Sequence, residues 1–192
     1  MGRVLTILCL ILTAGSAFGQ STNLLKNPNG DEGLHSWRVF GNASVTECYA
    51  SRKCFSIYQN GYILQDMNVP ESTVGMFAVL IAFTSIEETT NRPLGRPYLY
   101  GYMMDAGEPR GGNIFAYLHE QNMGSQPRSS GEWVKQYGVF KVPEKTGRIR
   151  MFLRAGCGKD QSLSECASRF RSPGVFLFST EDEARVFISA YQ

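Results

Sequence analysis

The chain has 192 residues, with 19 basic and 17 acidic side chains and a formal charge of +2; a balance this even gives nucleic acid no electrostatic footprint to follow. A composition 43% hydrophobic and 12% aromatic at this length supports one domain around a single core and excludes a disordered chain.

In chain order, Arg3 precedes the apolar run Val4-Leu5-Thr6-Ile7-Leu8-Cys9-Leu10-Ile11-Leu12, and small residues ending at Ala17 and Gly19 follow. That order is a secretory signal peptide, and the run is shorter than the ~20 residues a bilayer-spanning helix needs. Residues 1–19 are therefore expected to be cleaved, and 20–192 to form a secreted, extracellular chain without a membrane span. Of five cysteines, Cys9 lies in the signal peptide, leaving Cys48, Cys54, Cys157 and Cys166. An even number in an oxidising compartment predicts two bridges; three connectivities are open, of which the local pairs Cys48 with Cys54 and Cys157 with Cys166 are favoured. Each would close a short loop and contribute roughly 2–3 kcal/mol in the chain-entropy model. The spacing does not suit a zinc site. Asn42-Ala43-Ser44 is the one Asn-x-Ser/Thr triplet, so Asn42 is the candidate glycan acceptor.

From Gln20 onward apolar residues alternate or form short runs between Gly, Pro, Asn and Ser breakers, which predicts an all-β chain. Leu24 and Leu25 start an edge strand, Asn27-Pro28-Asn29-Gly30 turns it, and Trp37 enters the core. Residues 54–58 and 62–65 flank Gln59-Asn60-Gly61, whose Asn-Gly predicts a hairpin. Residues 75–83 are nearly all apolar, as in a strand covered on both faces. Residues 97–104 and 113–118 predict two more strands, and 123–131 a polar loop. Residues 132–142 and the alternating Arg148-Ile149-Arg150-Met151-Phe152-Leu153-Arg154 lie either side of a turn at 144–147. Residues 175–178 and 184–188 close the chain as strands. Eight or more short strands at this spacing define a β-sandwich or barrel, compatible with a jelly roll.

The segment Asn23-Leu24-Leu25-Lys26-Asn27-Pro28-Asn29-Gly30-Asp31-Glu32-Gly33-Leu34-His35-Ser36-Trp37 resembles the opening of an F-box-associated domain and, more distantly, of jelly-roll carbohydrate-binding modules of the galactose-binding-like class. Trp133 to Pro143 with the 148–154 strand is similar to the usual late hairpin of that class, and Asp182-Glu183 resembles the acidic pair before its last strand. The resemblance implies one galactose-binding-like sandwich. F-box-associated domains of the glycoprotein-binding type hold the base of N-linked glycans through aromatic residues on loops near the C-terminus. This chain has no Trp or Tyr between Gly138 and Ala190, so those residues do not carry over.

Sugar recognition needs flat aromatic faces for pyranose rings and a few polar groups for hydroxyls. Tyr98, Tyr100 and Tyr102 recur at period two, so on a strand they share one face; Tyr117 can join them, and Arg96 and Arg110 edge the set. The competing reading is an amphipathic core face. Trp37 and Trp133 fall where this fold class buries a tryptophan. Asp31, Glu32, Asp182 and Glu183, brought together by adjacent chain ends, would suit a structural calcium, as the class often carries there; solvated turn acids are the alternative. His35 and His119 are the only histidines, and no nucleophile motif accompanies them. The expected function is non-catalytic binding of glycans or glycoproteins outside the cell. The rival is an extracellular structural or matrix protein that binds other proteins through the same sandwich, with an enzyme third.

Overall fold

A computed structural model describes residues 22–48, 52–88, 96–107, 112–118, 126–156 and 166–192; the expected signal peptide lies outside them. Ten strands form two five-stranded antiparallel sheets. The strands are β1 (Arg38–Phe40), β2 (Ala43–Glu47), β3 (Lys53–Tyr58), β4 (Tyr62–Asn68), β5 (Phe77–Glu88), β6 (Tyr98–Met104), β7 (Ile114–Leu118), β8 (Val134–Lys141), β9 (Arg148–Arg154) and β10 (Cys166–Phe178), with one helix, α1 (Glu181–Ala190), after them. The first sheet runs β1-β4-β9-β6-β7 and the second β2-β3-β10-β5-β8. This is an all-β sandwich, one of the two forms expected from the alternation and the one the resemblance implied.

The core lies between the sheets because every second residue points there. From the first sheet come Ile63, Met67, Leu99, Met103, Ile149, Met151 and Leu153; from the second, Phe55, Ile57, Leu80, Ala82, Phe170 and Val175. Trp37 closes one end, its ring centroid 5.0 Å from that of Phe55, while its Nε1 donates to the Asn27 carbonyl at 3.3 Å.

Four expectations need correction. The turn at residues 59–61 does not make a hairpin: β3 and β4 lie in different sheets, and the turn is a corner where the chain crosses over. A second crossing, between β1 and β2, packs against it. A Cβ on Gly61 would sit 3.0–3.2 Å from the carbonyl oxygens of Tyr58, Asn42 and Phe40, and one on Gly41, at φ +80°, 3.0 Å from the Gly61 Cα. Glycine at 61 thus serves the close approach of two backbones. Likewise β8 and β9 belong to opposite sheets, so residues 142–148 form a crossing and no late hairpin. At the N-terminus, Leu25 is buried but residues 24–25 form no strand. One backbone bond, Leu24 N–H to the Val175 carbonyl at 2.9 Å, and the Asn23 amide, which donates to Pro173 O and accepts from Val175 N–H at 3.1 Å each, tie the segment to β10 where its pairing with β5 shifts register between Arg171 and Gly174.

The fourth correction is α1, expected as a strand over 184–188. Thr180 caps the helix: its hydroxyl accepts from Glu183 N–H at 3.2 Å, and the Glu183 carboxylate accepts from Thr180 N–H at 3.2 Å. This reciprocal box, three acids in the first turn and the Glu181–Arg185 pair all favour a helix start. At the other end Lys135 Nζ donates to the carbonyls of Ile188 and Tyr191 at 2.7 and 3.2 Å. Ala184 and Ile188 pack on Val79, Ile81 and Phe176 as a second, smaller core on the outside of the second sheet. The 75–83 run is therefore buried on both faces, as expected: Ala78 to Ala82 are all fully buried.

Candidate functional site

Among the described residues no element covers the outer face of the first sheet. On β6, Leu99 and Met103 point into the core while Tyr98, Tyr100 and Tyr102 point outward and stay half-buried. Gly101 lies on the inner side, where a Cβ would strike the Arg150 carbonyl oxygen and come within 2.9 Å of Leu80, so the strand needs glycine there.

Antiparallel register brings further rings to the tyrosines. Tyr102 lies opposite Tyr117, Tyr100 opposite Phe152 and Tyr98 opposite Arg154; Arg154 in turn lies opposite Tyr62, and Tyr62 opposite Phe40. Phe40 and Tyr62 stack at 4.6 Å and 15°, Phe152 and Tyr100 at 4.5 Å and 4°. Tyr102 meets Phe152 and Tyr117 edge to face at 5.1 and 5.2 Å. The result is an aromatic band drawn from all five strands. Phe152 forms its base, only 6% exposed, while Phe40 and Tyr117 at the margins are 44% and 56% exposed.

Beside this band lies a groove of about 480 Å³ lined by Asn60, Tyr98, Tyr100, Tyr102, Tyr117, Arg154, Ala155 and Gly156. Burial, and to a lesser degree the neighbouring Tyr102, push the Tyr100 phenol above its ordinary pKa; the Arg154 guanidinium, hydrogen-bonded to it, opposes the rise. Next to the groove, Asp66 accepts two bonds from Arg150, at 2.6 and 2.9 Å, and one from Arg38 at 2.5 Å. That network braces β1, β4 and β9 at the flank of the rings.

The four expected tyrosines thus come together as one face. Arg96 is exposed at the entry to β6 and does not appear among the groove residues; Arg154 holds the position expected of it. Arg110 lies outside the described residues. Tyr62, Phe40 and Phe152 were not expected here. The alternation of β9, which puts Phe152 on the same side as Arg148, Arg150 and Arg154, was the available signal for Phe152 and Arg154. Trp133 is not in the central core: it is half-buried on the outside of the second sheet, with the Arg171 guanidinium 5.1 Å from its ring.

The acidic residues expected to hold calcium do not converge. Among the described residues no three or more His, Cys, Asp or Glu side chains gather closely enough for a metal ion. Glu183 serves the helix cap, Asp182 occupies the exposed first turn of α1, and Asp31 lines a cleft with Arg52, Lys53 and Arg171; the Glu32 backbone N–H donates to Asn27 Oδ1 at 3.1 Å.

Of the expected cysteine pairs, Cys48 and Cys54 are neighbours on one face of β2–β3, unbridged thiols in hydrogen-bond contact. Burial first, and then Cys48, push the Cys54 thiol up to about 12. Cys157 lies outside the described residues, and Cys166 opens β10. Asn42 is exposed at the β1–β2 crossing. No helix among the described residues is long and apolar enough to cross a membrane.

The two five-stranded sheets form a β-sandwich of jelly-roll type. No family model and no curated protein matches the chain, so its relationships are structural. It is similar to the module TmCBM61 in complex with beta-1,4-galactotriose (TM-score 0.53, 17% identity, covering 82% of this chain and 99% of the other). It is similar also to the C-terminal family 22 carbohydrate binding module of Clostridium thermocellum Xyn10B (0.54, 10%, 79% and 92%). A third similar structure is the enzymatically active domain of bacteriophage CBA120 tailspike protein 4 (0.57, 12%), of which this chain spans only 21% while 81% of this chain is covered. At these identities the likeness is one of fold.

Proposed function

We propose that this chain is a secreted, non-catalytic carbohydrate- or glycoprotein-binding protein whose ligand lies along the aromatic face of the first sheet. The observation that carries the reading is the band of rings contributed by all five strands and left uncovered by the described residues. Pyranose rings present C–H faces that stack on aromatic rings, while phenol hydroxyls, Asn60 and Arg154 beside them supply partners for sugar hydroxyls. Carbohydrate-binding modules among the structural neighbours support the same reading. Export, a Cys48–Cys54 bridge and a glycan on Asn42 belong to the same proposal and rest on the sequence signals described above.

A broad glycan array probed with the mature protein tests it, followed by calorimetry on the best binder with Tyr117→Ala and Tyr100→Ala. Tyr117 is the more exposed, so its truncation leaves the fold intact and is expected to weaken affinity. Tyr100→Ala is expected to lose about 1–3 kcal/mol of affinity, on the scale of a contact-site truncation. Stability loss with affinity unchanged in both variants would make the rings structural. A silent array would favour a protein ligand, as in an extracellular matrix role.

A further inference from the structure

Among the described residues the groove carries charge at one point. Among its described lining residues four are tyrosines, three more are Asn60, Ala155 and Gly156, and the only charged side chain is Arg154. Arg154 is exposed at the end of β9, it makes none of the ion pairs found among the described residues, and its hydrogen bond goes to the neutral Tyr100 phenol. The nearest arginine on its strand face behaves differently: Arg150 is locked bidentately on Asp66, a carboxylate shared with Arg38. Two of the arginines on this face are therefore satisfied from within the protein, and the one that opens into the groove keeps its charge for a ligand. Its register neighbours, Tyr62 on one side and Tyr98 on the other, put an aromatic residue on each side of that charge.

Resting on the saccharide-binding reading above, we infer that the groove takes an anionic saccharide, with Arg154 pairing with a carboxylate or sulfate on a sugar ring that stacks against the tyrosines. A guanidinium presents paired N–H donors that match the oxygens of either group, and a sugar bearing one of them places the anion at the rim of an apolar ring face. A neutral sugar would offer this cation only uncharged acceptors of the kind water already gives it. The structure favours charge on the sugar without favouring carboxylate over sulfate, so the shared chemistry is the claim.

The test compares polymers that differ only in charge: de-esterified polygalacturonate against its fully methyl-esterified form, and a sulfated galactan against the same polymer desulfated. Binding to each is measured with the wild-type chain, Arg154→Gln, Arg154→Lys and, as a control for bulk charge, Arg185→Gln on the far side of the sandwich. The expected result is that one charged polymer binds about tenfold or more tightly than its neutral counterpart. That preference should weaken as salt rises, vanish in Arg154→Gln, partly return in Arg154→Lys and persist in Arg185→Gln; which polymer shows it separates carboxylate from sulfate. Thermal melts of each variant exclude unfolding as the cause. Equal binding of charged and neutral forms, or an equal loss in Arg154→Gln and Arg185→Gln, would overturn the role of Arg154 while leaving saccharide binding in place. Retention of none of the four polymers, together with a silent glycan array, would remove the saccharide reading and this inference with it.

Discussion

The two sheets carry the same kind of alternating sequence, yet their outer faces end differently. On the second sheet Phe77, Val79, Ile81, Phe176 and Phe178 point outward and are covered by α1; Phe176 meets Phe187 at 4.5 Å and Tyr191 at 5.7 Å. On the first sheet an equally aromatic face has no helix over it among the described residues. An outward apolar row is thus a packing surface or a recognition surface according to what the rest of the chain places upon it. The two rows are distinguished by composition as well: the covered one is almost wholly hydrocarbon, whereas the open one is mostly tyrosine, whose hydroxyls keep contact with water while the rings stay available.

Four measurements break or sharpen this contrast. The largest effect is expected from Phe176→Ala, which empties the second core and should cost about 3–5 kcal/mol of stability, read in denaturant melts, with no change in ligand affinity for the folded fraction. Tyr117→Ala on the open face is expected to do the reverse, shifting stability by less than about 0.5 kcal/mol while weakening binding. Equal stability losses in the two variants would erase the distinction between the faces. Next in size is the cysteine pair. Oxidation should join Cys48 to Cys54, seen as a linked peptide in non-reducing mass mapping, and add about 2 kcal/mol for a loop this short; a peptide linking Cys54 to Cys157 would overturn the local pairing. Loss of the helix cap comes third: Thr180→Ala should cost about 1 kcal/mol, and an unchanged melt would mean that α1 is held by its apolar face alone.

The smallest expected effect is alkaline. Burial pushes Tyr191 and the Cys54 thiol up to about 12, from ordinary values of 10.0 and 9.0. Both stay protonated in the folded chain after their unfolded counterparts have ionised, so the unfolded state then holds fewer protons and stability falls as pH rises. In the reduced protein the decline should begin near pH 9, where unfolded Cys54 ionises. In the bridged protein the buried phenols of Tyr191 and Tyr100 remain, both raised above their ordinary value, and the onset should move to near pH 10. Melting temperatures of both forms over this range measure the difference, and coincident curves would mean that the Cys54 thiol makes no contribution.

Strand existence was legible from alternation because side-chain direction repeats every two residues whatever the partner. Strand pairing was not. Asn60-Gly61 has the chemistry of a hairpin, but the same chemistry serves a corner, and only the second glycine corner at Gly41 decides which it is. The helix was the plainest misreading: Thr180-x-x-Glu183 is a capping signature, and the short apolar stretch after it fits either period. In the site, Tyr98, Tyr100 and Tyr102 were legible because they share one strand. Tyr62, Phe40 and Phe152 join them through register between segments far apart in the chain, which no local pattern encodes. Arg154 was hidden for a different reason, since a strand alternating arginine with apolar residues reads as a solvated face.

The position of β10 bears on how the molecule is made. It is the last strand in the chain, yet it sits at the centre of the second sheet, hydrogen-bonded to β3 on one side and β5 on the other. Until residues 166–178 are available, β3 and β5 each present an unpaired edge, and the second sheet exists only as two separate pairs, β2–β3 and β5–β8. Native assembly of this sheet therefore waits until residue 178 has been made, a slow, non-local order of events. A polypeptide emerging from its N-terminus stays open, and exposed to chaperones, until its final strand slots between two that were made long before it.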